Sequence, residues 1–201
     1  MRRRRILLEG SRTTNVITVA AAMVLVASLF IAGFAGRLLA SSAAATPECT
    51  TAKLDVWLNT NGNGAAGSSY YDLNLTNLSA STCTLYGYPG ISAITQAGAQ
   101  VGSAGARSSA HAVSVITLTS ARSAKGLETS TAHNTATVVL QIADAENFPQ
   151  KSCVPITAAG FRVYPPNQKE STVVPYPFVA CAKTGPRVLH VEAVQRYVAS
   201  Q

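Results

Sequence analysis

One stretch in the first half of the chain constrains the fold more than any other. Tyr70–Asn77 alternates apolar and polar residues with a period of two, which is typical of a β-strand with one buried face. Tyr71, Leu73 and Leu75 share the apolar face. Cys83–Gly90 then predicts a cysteine-tethered turn that leads into the next strand. The stretch therefore indicates an all-β, disulfide-tied domain.

Similar short apolar segments follow one another along the chain, separated by Gly, Asn, Pro and Ser. The predicted strands are Leu54–Leu58, Ser69–Asn77, Ile91–Thr95, Val113–Leu118, Ala136–Ala143, Phe161–Tyr164, Ser171–Val174 and Val188–Val194. Residues 59–67 are predicted to be a turn-rich loop, and Glu192–Ala199 could instead form a helical turn. No long segment keeps a helical period, so we expect a β-sandwich, immunoglobulin-like in architecture.

The N-terminal region predicts a membrane anchor. Residues 16–36 carry no charge and are long enough to cross ~30 Å of hydrocarbon as a helix. Residues 1–15 are rich in arginine, which favours a cytoplasmic tail with the C-terminal domain outside, as a single-pass protein of the cell membrane. The alternative is a signal peptide cleaved near Ala43–Ala45, which would make the protein secreted.

The charge of the chain lies mainly in that tail. Residues 37–48 predict a flexible tether, and residues 49–201 a single extracytoplasmic domain. The full chain has a net charge of +7, but six arginines and Glu9 lie within residues 1–47, which leaves +2 for the rest. This small basic excess excludes nucleic acid as a partner of the domain.

The cysteines predict two disulfides. Cys49, Cys83, Cys153 and Cys181 all follow the apolar segment, and none is spaced as in a metal site. Four cysteines allow three pairings. We favour the sequential pairing, Cys49 with Cys83 and Cys153 with Cys181, because each bond then closes a local loop.

Several motifs have a catalytic or ligand-binding meaning in other contexts. Residues 62–67 spell GxGxxG but lead into a strand, so a hairpin loop is expected and not a nucleotide site. His111, His133 and His190 are far apart, and neither GxSxG nor SxxK occurs. Asp144 and Glu146 have a spacing that Ca²⁺ could use, although a solvated loop is the simpler expectation. We therefore expect no enzyme, no cofactor and no resident metal.

The aromatic residues offer the best prediction of a recognition surface. Trp57, Tyr70, Tyr86 and Tyr88 combine an apolar body with a polar tip, which suits them to contact a partner. The competing interpretation is that Trp57 and one or two of the tyrosines fill the core.

A set of residues spread over the domain resembles a known family. These residues are Cys49, Gly67-Ser68-Ser69-Tyr70-Tyr71, Leu75-Thr76-Asn77, Cys83-Thr84-Leu85, Gly87-Tyr88-Pro89-Gly90, Cys153, Pro155, Arg162-Val163, Pro165-Pro166 and Cys181. Together they resemble the actinobacterial family named domain of unknown function 4232, over about residues 49–194. The resemblance implies an exported or membrane-anchored envelope domain, a β-sandwich, and no assigned activity. Residues 121–134 fit its pattern poorly, and the strand order over 119–135 stays open.

These observations predict a non-catalytic, membrane-anchored interaction module of the cell envelope. Its expected partners are the lipid bilayer, through residues 16–36, and an envelope protein or polymer. The alternatives are a secreted hydrolase that acts on envelope polymers and a carrier of a small ligand.

Overall fold

The computed structural model describes residues 45–123 and 125–198. The predicted tail and membrane anchor, residues 1–36, lie outside the described residues. Among the described residues, no helix has the length and apolar character that a membrane crossing requires.

The described part of the chain is mostly β-structure. In chain order the strands are β1 (Leu54–Ala65), β2 (Ser68–Asn77), β3 (Cys83–Tyr86), β4 (Gly90–Ile94), β5 (Gln100–Val101), β6 (Ala106–Arg107), β7 (Val115–Leu118), β8 (Arg122–Ser123), β9 (Gly126–Leu127), β10 (Thr135–Ala143), β11 (Pro155–Tyr164), β12 (Thr172–Cys181), β13 (Leu189–Val191) and β14 (Gln195–Arg196). Short 3₁₀ turns cover Thr51–Lys53 and Ala145–Asn147, and Gln150–Cys153 forms one α-helical turn.

The strands form two larger sheets and two small ones. Sheet I has the order β1-β2-β10-β13-β6, with β14 also paired to β10. Sheet II has the order β12-β11-β4-β5. β3 pairs with β7, and β8 with β9. The pairs are antiparallel except for β13 and β6, which run parallel.

Both larger sheets contribute to one hydrophobic core. In sheet I, alternate residues of β2 and β10 point inward, and Leu73, Val138 and Leu140 are fully buried. In sheet II, Phe161 and Val163 of β11 are equally buried. The period-two pattern of the sequence thus decides which face of each strand meets the core.

Two disulfides stabilise this framework, and the predicted sequential pairing is confirmed. Cys49 is bonded to Cys83 with a Cα–Cα distance of 5.0 Å, and Cys153 to Cys181 at 4.5 Å. The first bond holds the segment before β1 against the start of β3. Because stable disulfides form in oxidising compartments, they indicate an extracytoplasmic domain.

The predicted loop at residues 59–67 is wrong for most of its length. β1 continues through it to Ala65 with one irregularity in register, and only Ala66 and Gly67 form the turn. Both turn residues have positive φ, 48° and 72°, as a tight hairpin turn requires. Position 62 has no room for a side chain larger than that of glycine, because a Cβ there would lie 2.4 Å from the Tyr71 ring. The GxGxxG sequence is therefore a β-hairpin, as the strand after it predicted.

Two other predictions need correction. Cys83–Tyr86, expected to be a turn, is strand β3, and the turn comes after it at Gly87, where φ is 98°. The alternative helical turn at Glu192–Ala199 is wrong, because Gln195–Arg196 pairs with β10 as β14.

The segment whose strand order the sequence left open is organised by one buried side chain. Asn77 is fully buried at the end of β2. Its Nδ2 donates hydrogen bonds to the carbonyl oxygens of Ser81, Leu118 and Thr119, and its Oδ1 accepts them from Ser79. Residues 122–127 then form the small β8–β9 hairpin.

Candidate functional site

The structure separates the four aromatic residues of the predicted recognition surface. Trp57 and Tyr70 lie half-buried on the outer face of sheet I, in register with Asn74 and Asn63 respectively. Trp57 Nε1 donates a hydrogen bond of 3.1 Å to Thr76 Oγ1, so the indole covers neighbouring strands instead of filling the core. Tyr86 and Tyr88 lie together, at the end of β3 and in the turn that follows.

Tyr86 and Tyr88 line an open groove of about 500 Å³, which we call the Tyr86 groove. Its lining also includes backbone and side-chain groups from three other segments. The residues are Tyr86, Gly87, Tyr88, Gly90, Arg107, Val113, Tyr164, Pro165, Asn167 and Gln168. The volume lies within the ~300–1,000 Å³ typical of ligand sites.

The backbone around the Tyr86 groove holds its aromatic side chains in place. β3 pairs with β7 on one side, and Glu48 forms a bridge to Thr84 on the other. Gly87 O accepts a 2.9 Å hydrogen bond from the backbone N–H of Val194, which fixes the turn after β3. Tyr86 nevertheless keeps 52% of its surface exposed. A large aromatic ring is thus presented to solvent from a strand that is hydrogen-bonded on both sides.

The polar groups of the Tyr86 groove are mainly donors. The Arg107 guanidinium lies 5.5 Å from the centre of the Tyr88 ring, in a cation–π contact. Asn167, held at a φ of 61°, donates a 3.0 Å hydrogen bond to Glu48 Oε1 and thereby links the groove to the segment before Cys49. Aromatic, amide and guanidinium groups can together stack on and hydrogen-bond to a polar or anionic surface.

A second opening, which we call the Tyr176 cleft, has a different character. It has a volume of about 330 Å³. Its lining residues are Ser69, Tyr71, Ile142, Ala143, Asp144, Ala145, Glu146, Tyr176, Phe178 and Val179. The Tyr176 hydroxyl donates a 2.6 Å hydrogen bond to the Tyr71 hydroxyl. Burial, reinforced by this hydrogen bond and by the neighbouring Tyr71, raises the pKa of Tyr176 to about 12.

Tyr70 belongs to a third, shallower hollow on sheet I. Its volume is about 410 Å³, and Asn61, Asn63 and Asp72 supply its polar groups. The hollow shares Tyr71 with the Tyr176 cleft but contains none of the residues of the Tyr86 groove.

The three histidines are not brought together. His111 Nδ1 contacts Glu192 Oε2 at the surface, beside a hollow that Ser114 also lines. His190 lies on β13, where burial first and Arg187 second lower its pKa. His133 accepts two hydrogen bonds through its backbone oxygen, both from Thr119. The arrangement provides one histidine–carboxylate pair and no histidine cluster in the described part of the chain.

Asp144 and Glu146 do not form a metal site with other ligands. Within residues 45–123 and 125–198, no group of three or more His, Cys, Asp or Glu side chains could hold an ion. Both residues instead belong to the lining of the Tyr176 cleft.

Sequence reasoning missed several residues that shape these openings. Arg107, Tyr164 and Asn167 complete the Tyr86 groove but come from segments far from Tyr86 along the chain. Tyr176 and Phe178 were overlooked because they alternate with Pro175 and Pro177 in a segment whose predicted strand ended at Val174. Their period-two spacing was the signal that could have identified them.

A family model described as domain of unknown function, DUF4232, matches residues 49–195. The chain belongs to the DUF4232 family. The match begins at Cys49 and ends at Gln195, the first residue of β14, so it includes both disulfides and, except for Arg196, both larger sheets of this DUF4232 domain. No curated protein and no solved structure gives a significant match.

Proposed function

We propose that this DUF4232 protein is a non-catalytic interaction module of the cell envelope, anchored in the membrane by residues 16–36. We further propose that it contacts an envelope protein or polymer through the Tyr86 groove. The observation that carries the proposal is the groove itself, in which an exposed tyrosine, a second tyrosine and an arginine converge. Tyrosine and arginine are enriched among residues that dominate binding interfaces.

The extracytoplasmic placement of the groove is supported by the disulfides. Cys49–Cys83 holds the start of β3, the strand that ends in Tyr86. The structural support of the groove therefore depends on an oxidising compartment. The apolar, uncharged composition of residues 16–36 supports the anchor.

We also infer that sheets I and II are the two layers of an immunoglobulin-like β-sandwich. Side chains of both sheets belong to one core, and Tyr71 of β2 contacts Tyr176 of β12 with a ring-centre distance of 5.1 Å. The parallel pairing of β6 with β13 would be an addition to the usual antiparallel pattern.

The hydrolase alternative has one observation in its favour, the contact of His111 with Glu192 near Ser114. A serine-directed fluorophosphonate probe tests it. If the probe labels the native protein but not the Ser114→Ala variant, the protein is a hydrolase and the proposal of a non-catalytic interaction module is wrong. We expect no labelling.

Proximity labelling from the full-length protein in its own membrane tests the proposed function. The enzyme that generates the label is fused to the C-terminus, and the native chain is compared with the double variant Tyr86→Ala/Arg107→Ala. The matched control, Leu127→Ala/Val173→Ala, changes two residues that are also exposed, at 67% and 56%. We expect one partner to be labelled by the native chain and by the control variant. The groove variant should not label it. Equal labelling by all three proteins would contradict the proposal.

A mass measurement tests the anchor separately. The full-length mass in protein purified from membranes supports an anchor. Loss of about 45 residues would mean that residues 16–36 are a cleaved signal peptide.

A further inference from the structure

The Tyr176 cleft lies where the two sheets meet beside the end of β10. Ser69 and Tyr71 come from β2, Ile142 and Ala143 from β10, and Tyr176 from β12. Its residues are distinct from those of the Tyr86 groove. The two openings are therefore separate features of the domain.

Aromatic side chains dominate the wall that sheet II provides. Tyr176 and Phe178 are both half-buried, and both stack on the fully buried Phe161 with ring-centre distances of 6.0 and 4.8 Å. Tyr71 packs edge-on against Tyr176 from the opposite sheet. Each ring is held by another, so the aromatic wall is formed before any ligand arrives.

The opposite rim of the cleft carries negative charge. Asp144 and Glu146 are exposed, and within the described residues neither takes part in a salt bridge. No Lys, Arg or His lines the cleft. Two unneutralised carboxylates beside three aromatic rings create a site that attracts cations and also offers them apolar contact.

The acidic rim is fixed by a short network of backbone hydrogen bonds. Asp144 N–H donates to Gly67 O at 2.9 Å, and Asn147 N–H donates to Asp144 O at 3.0 Å. The Asn147 side chain adds a 2.6 Å hydrogen bond to Gly67 O. Ala145, between the two carboxylates, is buried. The β1–β2 turn thus holds the rim in place against the aromatic wall.

We propose that the Tyr176 cleft binds a small organic cation through an alkylammonium group. The aromatic rings would contact the carbon atoms and the diffuse positive charge, and Asp144 and Glu146 would balance that charge at the rim. Aromatic and acidic groups together recognise ammonium compounds better than neutral molecules of equal shape. The cleft volume of about 330 Å³ suits a small ligand and not a folded partner.

The experiment compares choline with its neutral isostere 3,3-dimethylbutan-1-ol. Binding of each compound to the full-length chain in a non-ionic maltoside detergent is followed by saturation-transfer NMR and by calorimetric titration. The charge variant is Asp144→Asn/Glu146→Gln. Its matched control, Asp55→Asn/Glu128→Gln, removes the same two kinds of charge at exposed positions outside the cleft.

We expect choline to bind with a dissociation constant on the order of 1 mM, and the isostere to bind at least about tenfold more weakly. The charge variant should lose about tenfold in affinity for choline, whereas the control should match the native chain. Three results would each overturn the proposal: no choline binding at about 10 mM, equal binding of the neutral isostere, or the same loss in the control.

A second variant shows that the rings are needed. Phe178→Leu keeps an apolar side chain in the wall but removes its ring, so choline affinity should fall while the isostere is little affected. Unchanged choline affinity in a folded Phe178→Leu protein would contradict the aromatic contribution.

Discussion

The Tyr86 groove and the Tyr176 cleft are both lined by tyrosines, yet they differ in charge and in support. The groove contains Arg107 and amide donors, whereas the cleft contains Asp144 and Glu146. The groove is held by strand pairing and the Cys49–Cys83 disulfide, and the cleft by rings stacked on Phe161. We therefore expect the two openings to bind different ligands, and a change in the core to affect the cleft far more than the groove.

The largest expected effect comes from Phe161→Ala. Phe161 is fully buried beneath Tyr176 and Phe178, so its removal leaves a cavity and should lower the free energy of unfolding by about 3–5 kcal/mol. Choline binding should be lost, whereas partner labelling through the Tyr86 groove should persist in the folded fraction. Urea denaturation measures the stability, and Val173→Ala, at an exposed position, should stay within about 0.5 kcal/mol of the native chain. Equal loss of choline binding and of partner labelling in folded protein would contradict the different support of the cleft and the groove.

The two disulfides should contribute nearly equally to stability but act on different sites. Their cysteines are 34 and 28 residues apart, so the double variants Cys49→Ser/Cys83→Ser and Cys153→Ser/Cys181→Ser should each lose roughly 3–4 kcal/mol. Urea denaturation without reductant measures both values. Only the first variant should weaken partner labelling, because only that bond holds the strand that ends in Tyr86. Weaker labelling in the second variant alone would contradict this assignment.

A smaller effect is expected for Gly62→Ala. The added Cβ would lie 2.4 Å from Cε1 of Tyr71, a ring that lines the Tyr176 cleft. The ring and the backbone at Tyr70 O, 2.7 Å from the added Cβ, must both move, which should cost about 1–3 kcal/mol and weaken choline binding. Gly64→Ala is the matched control, because its Cβ would meet only Ser68 O at 3.9 Å. Equal denaturation midpoints for the two variants would show that Gly62 is not under steric constraint.

The smallest effect is expected for Tyr176→Phe. The change removes the hydrogen bond between the two tyrosine hydroxyls and should cost about 1 kcal/mol in urea denaturation at neutral pH. The exposed Tyr86→Phe should cost less. A variant as stable as the native chain would show that the hydroxyl pair contributes nothing to the cleft wall.

Tyr176 should also make the stability of the protein depend on pH in the alkaline range. Its pKa rises from 10.0 to about 12 in the folded protein, so folding favours the protonated phenol. The stabilisation is complete below pH 10 and is lost as the pH rises towards about 12. Denaturation midpoints at several alkaline pH values should therefore fall less steeply for Tyr176→Phe than for the native chain. Parallel curves would contradict the raised pKa of Tyr176, whose main cause is burial.

Much of the β-framework could be predicted from the sequence, because its central strands have one buried face. The alternation in β2 and in β10 gave the correct strands to within about a residue or two. The cysteine pairing followed from their order. The role of Asn77 could not be predicted, because the side chain of a buried asparagine that bonds several backbone carbonyls is the same as that of any loop asparagine until its partners are known.

The errors have identifiable physical causes. The predicted strand ends at Val174, whereas β12 continues through Pro175 and Pro177 to Cys181, although proline normally interrupts a strand. Proline is tolerated in β12 because this strand is at the edge of sheet II, where the outward-facing N–H groups have no neighbouring strand to pair with. The candidate site was predicted only in part. Arg107 is placed beside Tyr86 by the parallel β6–β13 pairing, and Tyr164 by its position at the end of β11. No local pattern contains that information.

The most direct test of the central proposal is site-specific photo-crosslinking in living cells. A photoreactive amino acid replaces Tyr86 in one full-length protein and Leu127, which is more exposed, in another. We predict a discrete crosslinked product from position 86 that is absent from position 127 and is lost when Arg107→Ala is added. No product from position 86, or the same product from both positions, would contradict the assignment of the Tyr86 groove as the interaction site.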